Sequence, residues 1–478
     1  MNMSIHFVDR EKELEFLSRQ FDEYNPFFVV IYGKRRVGKS ELIKKFLAGR
    51  KSIYLLATTE VEKEIIANFS RGTAEFFNDA ALAVNPLTSF RQFLEYLKKK
   101  DIKERIIVAI DEFPYLVDAN KAVPSILQSF WDEYFRNSRV SFVLSGSSIS
   151  AMENGVLARK SPLYGRRTGQ WKMAPFNFRN FSLLFPKLSL EKRIEFFAVT
   201  GGTPYYANEF RESFTLYANV VEKIASKGAV LHDEVMFLLR EELREPKTYY
   251  SILKEISAGK TKVTEIGNAV GIERTSLFKY LNTLTFLDLI KVEYPVTSKE
   301  RSKNSIYLIK DNYFGFWFKM IAPLEKEIEL GNENLFRQYF EQNIESFIGR
   351  RFEAVCEEAF RVLMEQGKLP PGVVGRWWGN YLDENGEKKT AEIDLVSVNK
   401  ITKSIVFAEC KWSNKRAGIG DLMEHKMKAA LVEWNKDKRT EKFLFFSKSG
   451  FDQKALDFAS ENNWMLVDLK ELGRIFSA

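Results

Sequence analysis

The feature that most constrains the fold of this chain is a glycine-rich segment that lies between an apolar run and a helical pattern. Residues 27–32 are Phe-Phe-Val-Val-Ile-Tyr, residues 33–40 are Gly-Lys-Arg-Arg-Val-Gly-Lys-Ser, and a helical pattern begins at Glu41. A strand, a glycine-rich loop ending in Gly-Lys-Ser and a helix form the context that a phosphate-binding loop requires. The alternative is a strand-to-helix turn that matches by chance. The pattern predicts an α/β nucleotide-binding domain with a parallel sheet.

Each residue type of this loop suits one part of a nucleoside triphosphate. The glycines let the backbone wrap closely, so its N–H groups and the positive end of the following helix would surround the β-phosphate. Lys39 would reach the β- and γ-phosphates, and the Ser40 hydroxyl would hold Mg²⁺. The expected cofactors are ATP and Mg²⁺. The predicted nucleotide-binding residues of this segment are Gly33, Arg36, Val37, Gly38, Lys39, Ser40 and Glu41.

A second apolar run, residues 106–110, ends in the carboxylates Asp111 and Glu112. A continuous apolar run is typical of a central parallel strand that is buried on both faces. Ligands of open α/β sheets bind at the carboxyl ends of strands, where both carboxylates would lie. Asp111 would complete the Mg²⁺ shell through water, and Glu112 would polarise the water that attacks the γ-phosphate. The alternative is a strand end that meets solvent.

A third apolar run, residues 140–144, leads into the serine-rich segment 145–148. Ser145 or Ser147 could sense the γ-phosphate from the end of a neighbouring strand, although such clusters also form ordinary turns. Farther along, Arg166 or Arg167 could act on the γ-phosphate in cis or from a neighbouring subunit. A basic turn that faces solvent is the alternative.

These segments and three others occur in an order that resembles a known family. The others are Phe7-Val8-Asp9-Arg10-Glu11 with Glu13-Leu14, Tyr164-Gly165-Arg166-Arg167 and Gly201-Gly202-Thr203-Pro204-Tyr205-Tyr206. The set is similar to the archaeal-type ATPases of the AAA+/STAND group, relatives of origin-recognition ATPases. The resemblance implies that Phe7 and Arg10 lie near the adenine. It also implies that the segment containing Pro204 closes over the nucleotide from a helical lid.

The length of 478 residues exceeds one ordinary core, so several domains are expected. A net charge of +8 spread over this length is compatible with nucleic acid without indicating it. The predicted domains are a P-loop ATPase core (1–175), a helical lid (176–240), a winged helix (241–310), a helical connector (311–345) and a nuclease-like domain (346–478).

The two cysteines, Cys356 and Cys410, do not fall in a metal-ligand spacing, which favours a reducing setting. The N-terminal residues lack a hydrophobic signal core, and no apolar stretch approaches membrane-spanning length. We therefore expect a cytoplasmic protein without a membrane partner. Protein partners and self-association stay open.

The middle of the chain has the pattern of a winged helix. Three short helical patterns lie between residues 249 and 288, with a turn at Gly271, and two alternating runs follow at 289–294 and 305–309. The exposed face of the third helix would carry the side chains that approach DNA, and the tip between the strands is basic. These candidates are Arg274, Thr275, Ser276, Lys279 and Tyr280 on the helix and Lys299, Arg301 and Lys303 at the tip. Winged helices also serve as protein-docking modules or spacers.

Two runs near the C-terminus, residues 391–398 and 404–411, read as strands joined by a short turn. With the turn centred between Ile401 and Thr402, Asp394 falls opposite Glu409. Like charges that face each other destabilise a ladder, whereas a divalent cation between them is coordinated by hard oxygens. Lys411 would share the face of Glu409 and orient a hydroxide, and in this register it would face Glu392.

A helical pattern around residues 348–356 would bring Glu353 to the same cluster. Glu353, Asp394 and Glu409-Cys410-Lys411 resemble the PD-(D/E)XK nuclease core, in which a helix precedes a mixed sheet. The resemblance implies a restriction-endonuclease-like α/β domain that binds Mg²⁺, or Mn²⁺, through Asp394 and Glu409. This chain has Ile393 where the strict motif has proline. Archaeal ATPases of the type named above often carry such a domain.

Basic residues surround this region and would follow a phosphate backbone, although a solvated face is the alternative. They are Lys388, Lys389, Lys411, Lys415, Arg416, Lys426 and Lys428. Trp377 and Trp378, which precede a glycine, are expected to be core or domain-contact residues and not a platform for base stacking. The leading hypothesis is an ATP-dependent enzyme that acts on DNA and cuts it with Mg²⁺. The alternatives are a nucleotide-switched DNA-binding regulator and a signalling ATPase, each with an inactive nuclease-like domain.

Overall fold

The computed structural model describes residues 7–298 and 304–477 and divides them into two compact units. The first unit extends to Phe176 and includes Thr203–Tyr205, and the second contains Asn177–Gly202 and the residues from Tyr206 onward. The basic tip residues Lys299, Arg301 and Lys303 lie outside the described residues.

The first unit is built on a five-stranded sheet in which every pair of neighbours is parallel. Its order is β2-β3-β4-β1-β5, and the strands are β1 (Phe28–Gly33), β2 (Ser52–Leu56), β3 (Ile106–Asp111), β4 (Val140–Gly146) and β5 (Gly169–Met173). The three apolar runs form β1, β3 and β4, and all their residues are buried. Burial on both faces explains why they are continuously apolar rather than alternating. The predicted parallel α/β sheet is confirmed.

Helices cover both faces of this sheet and enclose two apolar cores. They are α1 (Glu11–Glu23), α2 (Lys39–Leu47), α3 (Glu62–Phe77), α4 (Ala80–Val84), α5 (Phe90–Lys99), α6 (Phe113–Ala119), α7 (Val123–Glu133) and α8 (Ile149–Ala151). One core contains side chains of α1 and α2, and the other contains side chains of α3, α5, α6 and α7. The loop between β1 and α2 is therefore held from both ends by buried elements.

The second unit begins with helices and continues with three helices and a small antiparallel sheet. The first group is α9 (Phe178–Ser182), α10 (Leu190–Thr200), α11 (Pro204–Glu209), which begins in the first unit, α12 (Leu216–Val220) and α13 (Glu234–Glu242). The second is α14 (Pro246–Ser257), α15 (Val263–Val270), α16 (Arg274–Phe286), β6 (Ile290–Glu293) and β7 (Ile306–Ile309). This element order is the one that the winged-helix prediction requires.

Two short helices then lead into one long helix. They are α17 (Asn312–Phe316), α18 (Glu325–Glu329) and the 33-residue α19 (Glu333–Glu365). We predicted a domain boundary between residues 345 and 346, but α19 passes through it without a break. A single helix therefore joins the predicted connector to the C-terminal domain, because its buried side chains continue from Phe336 to Leu363.

The C-terminal domain is a separate five-stranded mixed sheet of order β12-β11-β10-β9-β8. Its strands are β8 (Val373–Leu382), β9 (Lys388–Asn399), β10 (Ser404–Lys411), β11 (Thr440–Ser447) and β12 (Met465–Asp468), and its helices are α20 (Ile419–Ala430), α21 (Gln453–Glu461) and α22 (Leu469–Ser477). The pairs β8–β9 and β9–β10 are antiparallel, and β10–β11 and β11–β12 are parallel. Across the two described ranges, no helix is both long and apolar enough to cross a membrane.

Candidate functional site

The loop between β1 and α2 is shaped by backbone positions that favour glycine. Gly33 has φ +152°, and a Cβ atom there would lie 2.3 Å from the carbonyl oxygen of Met173, so a side chain does not fit. Gly38 has φ +93° and precedes the first residue of α2, Lys39. The Lys39 Nζ atom donates to the carbonyl oxygens of Gly33 at 3.0 Å and Lys34 at 2.8 Å. The ammonium group thus lies over the loop, where it could contact a bound phosphate.

Ser40 and Asp111 meet at the end of β3. The Ser40 hydroxyl donates to the Asp111 Oδ2 atom at 2.5 Å, and the Tyr54 hydroxyl from β2 donates to the same oxygen at 2.6 Å. Burial and the neighbouring Asp111 carboxylate raise the pKa of Tyr54. A hydroxyl and a buried carboxylate are hard oxygen ligands, so this pair fits the Mg²⁺ of a bound nucleotide. Our sequence reasoning missed Tyr54, because it is one of many aromatic residues in apolar runs.

Glu112 takes a left-handed conformation, with φ +52°, and turns toward the end of β4. Its Oε2 atom accepts hydrogen bonds from the Ser147 backbone N–H at 3.1 Å and from the Ser147 hydroxyl at 2.7 Å. Ser147 is thus the partner of Glu112. The Ser145 hydroxyl is fully buried and has no hydrogen-bond partner among the described residues. It is therefore the serine with capacity to bind a ligand or water.

Arg10 links the N-terminal segment to the loop. Its guanidinium donates to the carbonyl oxygens of Val37 and Ala174, each at 2.9 Å, and its Nη1 atom lies 2.9 Å from the Glu13 carboxylate. It also lies over the Phe176 ring, 4.3 Å from the centroid. Burial lowers the pKa of Arg10. These contacts give Arg10 a role in holding the loop.

Three other predicted nucleotide-binding residues, Arg36, Phe7 and Glu41, each contact a different side chain. The Arg36 guanidinium lies 4.2 Å from the centroid of the Tyr205 ring, which places the segment after Pro204 beside the loop. The Phe7 ring has the Lys45 ammonium 5.9 Å from its centroid. Glu41 forms a half-exposed ion pair with Lys44 at 3.2 Å.

Arg166 is engaged by a carboxylate. Its Nε atom lies 3.0 Å from both carboxylate oxygens of Asp132, and its Nη2 atom lies 2.8 Å from Oδ2. A bidentate pair of this kind is strong and directional. An action of Arg166 on the γ-phosphate would therefore require it to leave Asp132. Arg167 donates to the Leu157 carbonyl oxygen at 3.4 Å.

In the C-terminal domain, the pairing of β9 with β10 has the predicted register. Ser404 pairs with Asn399 and Ala408 with Leu395, so Asp394 and Glu409 come next, where the regular ladder ends. The Asp394 Oδ2 atom accepts a hydrogen bond from the Cys410 backbone N–H at 2.9 Å. Burial, with repulsion from Glu409 and Glu353, raises the pKa of Asp394 to about 8.

Two side chains of α20 contact Glu409. The Lys428 Nζ atom donates to Oε1 at 2.8 Å, and the His425 Nδ1 atom lies 3.4 Å from Oε2. Burial opposes ionisation, but His425 and Lys428 outweigh it and lower the pKa of Glu409. His425 is 1% exposed, and neither ring nitrogen has a hydrogen-bond partner among the described residues. His425 and Lys428 are three residues apart and so share one face of α20. This spacing, after a strand that ends in Glu-Cys-Lys, is the sequence signal that would have indicated the contact of His425 with Glu409.

The remaining members of this cluster have partners that the sequence did not predict. We expected Lys411 to face Glu392, but Lys411 pairs with Asp421 at the start of α20, because regular β9–β10 pairing has already stopped. Glu392 and Glu353 both pair with Arg376 of β8. Burial raises the pKa of Glu353, and Arg376 opposes this rise.

The predicted metal ligands Asp394 and Glu409 are not joined by a third ligand in this arrangement. Within residues 7–298 and 304–477, no three His, Cys, Asp or Glu side chains converge closely enough to hold a metal ion. Cys356 and Cys410 lie next to each other beside the cluster, and burial raises the pKa of both thiols. These neutral thiols add no charge to the cluster.

The predicted DNA-facing residues are mostly at the surface. Arg274, Thr275, Ser276 and Lys279 of α16 are exposed, and Tyr280 is half-buried, with its hydroxyl donating to Glu245 at 2.8 Å. Of the predicted basic residues of the C-terminal domain, Lys389 pairs with Asp383 at 2.5 Å. Lys388 begins β9, Lys415 and Arg416 lie in the loop before α20, and Lys426 lies in α20. Trp377 is buried in the sheet core, as expected, and Trp378 is half-buried.

Two parts of the chain match protein families. Residues 7–210 match a family described as an ATPase domain predominantly from Archaea. Residues 317–429 match a family described as archaeal and bacterial proteins of unknown function. The P-loop region thus lies in the first family, and Glu353, Asp394 and Glu409 lie in the second.

Individual proteins are similar over different lengths. The uncharacterized protein MJECL04 of Methanocaldococcus jannaschii is 35% identical over 410 residues, which cover 85% of this chain and 88% of that protein. The uncharacterized ATP-binding protein MJ0423 of the same organism is 51% identical over 47 residues, 10% of this chain and 80% of that protein. A Walker-type ATPase of Pyrococcus abyssi is 20% identical in structural superposition, with a TM-score of 0.48 and coverage of 65% of this chain and 96% of that one.

The geometry of the loop agrees with the family match of residues 7–210. The chain belongs to the same family as MJECL04, and it combines an archaeal-type P-loop ATPase domain with a domain from a family of unknown function.

Proposed function

We propose that this ATPase acts on DNA and that its C-terminal domain cleaves phosphodiester bonds with Mg²⁺ under the control of the nucleotide. The observation that carries the cleavage proposal is the position of Asp394 and Glu409 where β9 and β10 stop pairing. Two half-buried carboxylates in this position repel each other, and a divalent cation would convert that repulsion into coordination.

In the nucleotide site, Lys39 and the backbone N–H groups of residues 33–40 would bind the phosphates, and Ser40 and Asp111 would hold Mg²⁺. The metal supplies charge neutralisation of the phosphates. Glu112 would orient the attacking water once its hydrogen bonds to Ser147 are exchanged. Ser145, whose hydroxyl is free of hydrogen bonds among the described residues, would receive the γ-phosphate or a water beside it.

In the C-terminal domain, Asp394 and Glu409 would hold the cation. The metal would activate a water and stabilise charge on the scissile phosphate. His425 and Lys428 keep Glu409 ionised and fix its orientation, because they contact opposite carboxylate oxygens. Lys411 would approach the phosphate after leaving Asp421.

DNA is the proposed partner on the basis of the exposed polar face of α16. Arg274 and Lys279 would neutralise phosphates, and Thr275 and Ser276 lie at the helix N-terminus, where base or phosphate contacts are made in helix-turn-helix proteins. Binding through these few cations should weaken as the salt concentration rises.

The test is cleavage of single-stranded, duplex and branched DNA with Mg²⁺ or Mn²⁺, with and without ATP. We expect Asp394→Ala to abolish cutting and Lys39→Ala to change its dependence on ATP. Glu384→Ala, which removes an exposed carboxylate of the same domain, is the matched control and should cut like the unmodified chain. Absence of cutting under all these conditions would rule out the nuclease proposal.

A second candidate is a nucleotide-switched regulator or signalling ATPase whose C-terminal domain does not cut. The pairing of Glu353 with Arg376 and of Lys411 with Asp421 favours it, because both groups are engaged within the protein. This candidate predicts that Asp394→Ala changes no chemistry. Salt-sensitive DNA binding without cleavage would indicate the regulator, and the lack of such binding would indicate the signalling ATPase.

A further inference from the structure

Arg376 occupies an irregular position in the edge strand β8. Gly375 pairs with Val396 and Trp377 with Ile393, so the register shifts at Arg376 and its backbone leaves the ladder with β9. The Arg376 carbonyl oxygen instead accepts a hydrogen bond from the Val296 backbone N–H at 2.9 Å. Bulges of this kind re-aim a side chain.

The close approach of Val296 also requires a small residue before the bulge. A Cβ atom on Gly375 would lie 3.2 Å from the Cβ atom of Val296, which is tighter than ordinary van der Waals contact. Val296 follows β6, so the backbone on either side of the bulge is held by the segment that leaves the small antiparallel sheet. The orientation of Arg376 is therefore set by tertiary contacts.

The re-aimed guanidinium is surrounded by carboxylates. Its Nη2 atom pairs with Glu353 of α19, its Nη1 atom pairs with Glu392 of β9, and its Nε atom lies 3.6 Å from Glu293 of β6. The Arg376 side chain is only 17% exposed, so solvent screens its contacts with Glu353 and Glu293 weakly, whereas Glu392 is half-exposed. One positive charge thus contacts carboxylates from three elements and balances only part of their negative charge.

The contacts of Arg376 determine which carboxylates are available to the cation proposed at Asp394 and Glu409. Glu353 is the third acidic residue of the predicted cluster, but its carboxylate is held by Arg376. His425, fully buried and without a hydrogen-bond partner in the described part of the chain, lies against Glu409 on the other side. The cluster therefore contains a buried imidazole beside Glu409 and an internal counter-ion beside Glu353.

We propose that Arg376 is a positioning residue that holds Glu353 and Glu392 away from the divalent cation, so that the guanidinium and the cation compete for the carboxylate cluster. The inference rests on the cation site of the proposed function. Recruitment of Glu353 as a third ligand beside Asp394 and Glu409 would require Arg376 to release it. Because Arg376 also approaches Glu293, a displacement of β6 would change the charges that retain the guanidinium.

The experiment is a calorimetric titration of the full chain with Mn²⁺ in the absence of nucleotide. Arg376→Gln keeps a polar side chain but removes the charge, and should bind Mn²⁺ about tenfold more tightly, because a neighbouring positive charge no longer opposes the dication. Arg361→Gln, which removes an arginine paired with Glu357 on the exposed side of α19, is the matched control and should leave the affinity unchanged. An affinity of Arg376→Gln equal to or weaker than that of the unmodified chain overturns the inference.

Should Arg376→Gln not fold, Arg376→Lys decides the question. Its ammonium cannot contact two carboxylates in the forked geometry of a guanidinium, so the Mn²⁺ affinity should rise by about threefold. An unchanged affinity overturns the inference. Thermal unfolding of each variant separates a general loss of stability from an effect on the cation.

Asp394→Ala, titrated in parallel, distinguishes the two proposals. If Asp394→Ala binds Mn²⁺ as tightly as the unmodified chain does, the proposed cation site is refuted, and the inference about Arg376 is refuted as well. If binding depends on Asp394 but Arg376→Gln does not tighten it, only the inference is wrong. Tighter binding by Arg376→Gln without any DNA cleavage would uphold the inference and refute the nuclease proposal.

Discussion

The nucleotide site and the C-terminal carboxylate cluster both lie at strand ends, yet they are built in opposite ways. The nucleotide site comes mainly from one continuous segment, residues 33–40, whose backbone N–H groups would make most of the phosphate contacts. The carboxylate cluster draws side chains from α19, β8, β9, β10 and α20, and nearly every charge in it has a partner of opposite sign. A site made of backbone is set by local sequence, whereas a site made of distant side chains depends on which partner each charge finds.

The largest effect should come from the one side chain that the loop itself supplies to the phosphates. Lys39→Ala removes the ammonium group that lies over the loop, and we expect kcat/KM for ATP hydrolysis to fall by at least about a hundredfold. Lys44→Ala, on the exposed side of the same helix, is the matched control and should change the rate by less than about twofold. Comparable losses in both variants would contradict the assignment.

A substitution in the loop backbone sharpens the comparison by testing stability. Gly33→Ala would place a Cβ atom against the Met173 carbonyl oxygen in a conformation that favours glycine, so we expect a loss of about 2–3 kcal/mol in the free energy of unfolding. Gly155→Ala, where a Cβ atom would meet nothing within 4 Å, is the control and should be close to neutral. Urea denaturation measures both, and equal stabilities would show that the loop tolerates a side chain.

Tyr54→Phe tests the part of the nucleotide site that does depend on a distant side chain. Losing the hydrogen bond to Asp111 should cost about 1 kcal/mol, which corresponds to an affinity for the Mg²⁺–nucleotide complex about fivefold weaker. Nucleotide binding without Mg²⁺ should change less. Tyr96→Phe, which removes a similar hydrogen bond to Asp79, is the control. Equal losses with and without Mg²⁺ would disprove a role in holding the metal ligand.

The pH dependence of the carboxylate cluster tests the other side of the comparison. The pKa of Asp394 is raised to about 8 in the folded chain, so the folded state keeps a proton that the unfolded state releases at lower pH. The contribution of Asp394 to stability should therefore decrease as the pH rises from about 4 toward 8. Glu409, Glu353 and Arg376 face this group, and burial is the largest cause of the shift.

Urea denaturation of the unmodified chain and of Asp394→Asn over this pH range measures the difference. Asp394→Asn should gain stability relative to the unmodified chain as the pH rises, because the asparagine does not ionise. A constant difference between the two chains would show that Asp394 ionises in the folded state as it does in the unfolded one. Added Mn²⁺ should reduce the difference if the proposed cation site exists.

The parts that could be predicted share a simple physical basis. The apolar runs form buried parallel strands because a central strand is covered on both faces. The turn between β9 and β10 sets a register that extends to the pair of Ala408 with Leu395, beside Glu409 and Asp394. The prediction of a break after residue 345 did not anticipate the continuous helix α19, because the helical pattern is the same on both sides of that residue. Lys411 was misassigned because a register extended past the end of a ladder no longer specifies neighbours.

The sequence by itself determined the phosphate-binding loop with its lysine and serine, because these are adjacent residues in a strand–loop–helix pattern. It also determined that Asp111, Glu112 and the serines of residues 145–148 follow buried strands, because the apolar runs before them are continuous. Only the tertiary structure decided that Tyr54 shares Asp111 with Ser40, that Glu112 is held by Ser147 and that Arg376 binds Glu353 and Glu392. Charges and hydroxyls have many candidate partners in a chain of this length. The choice among them depends on which elements pack together, and this is a property of the folded chain as a whole.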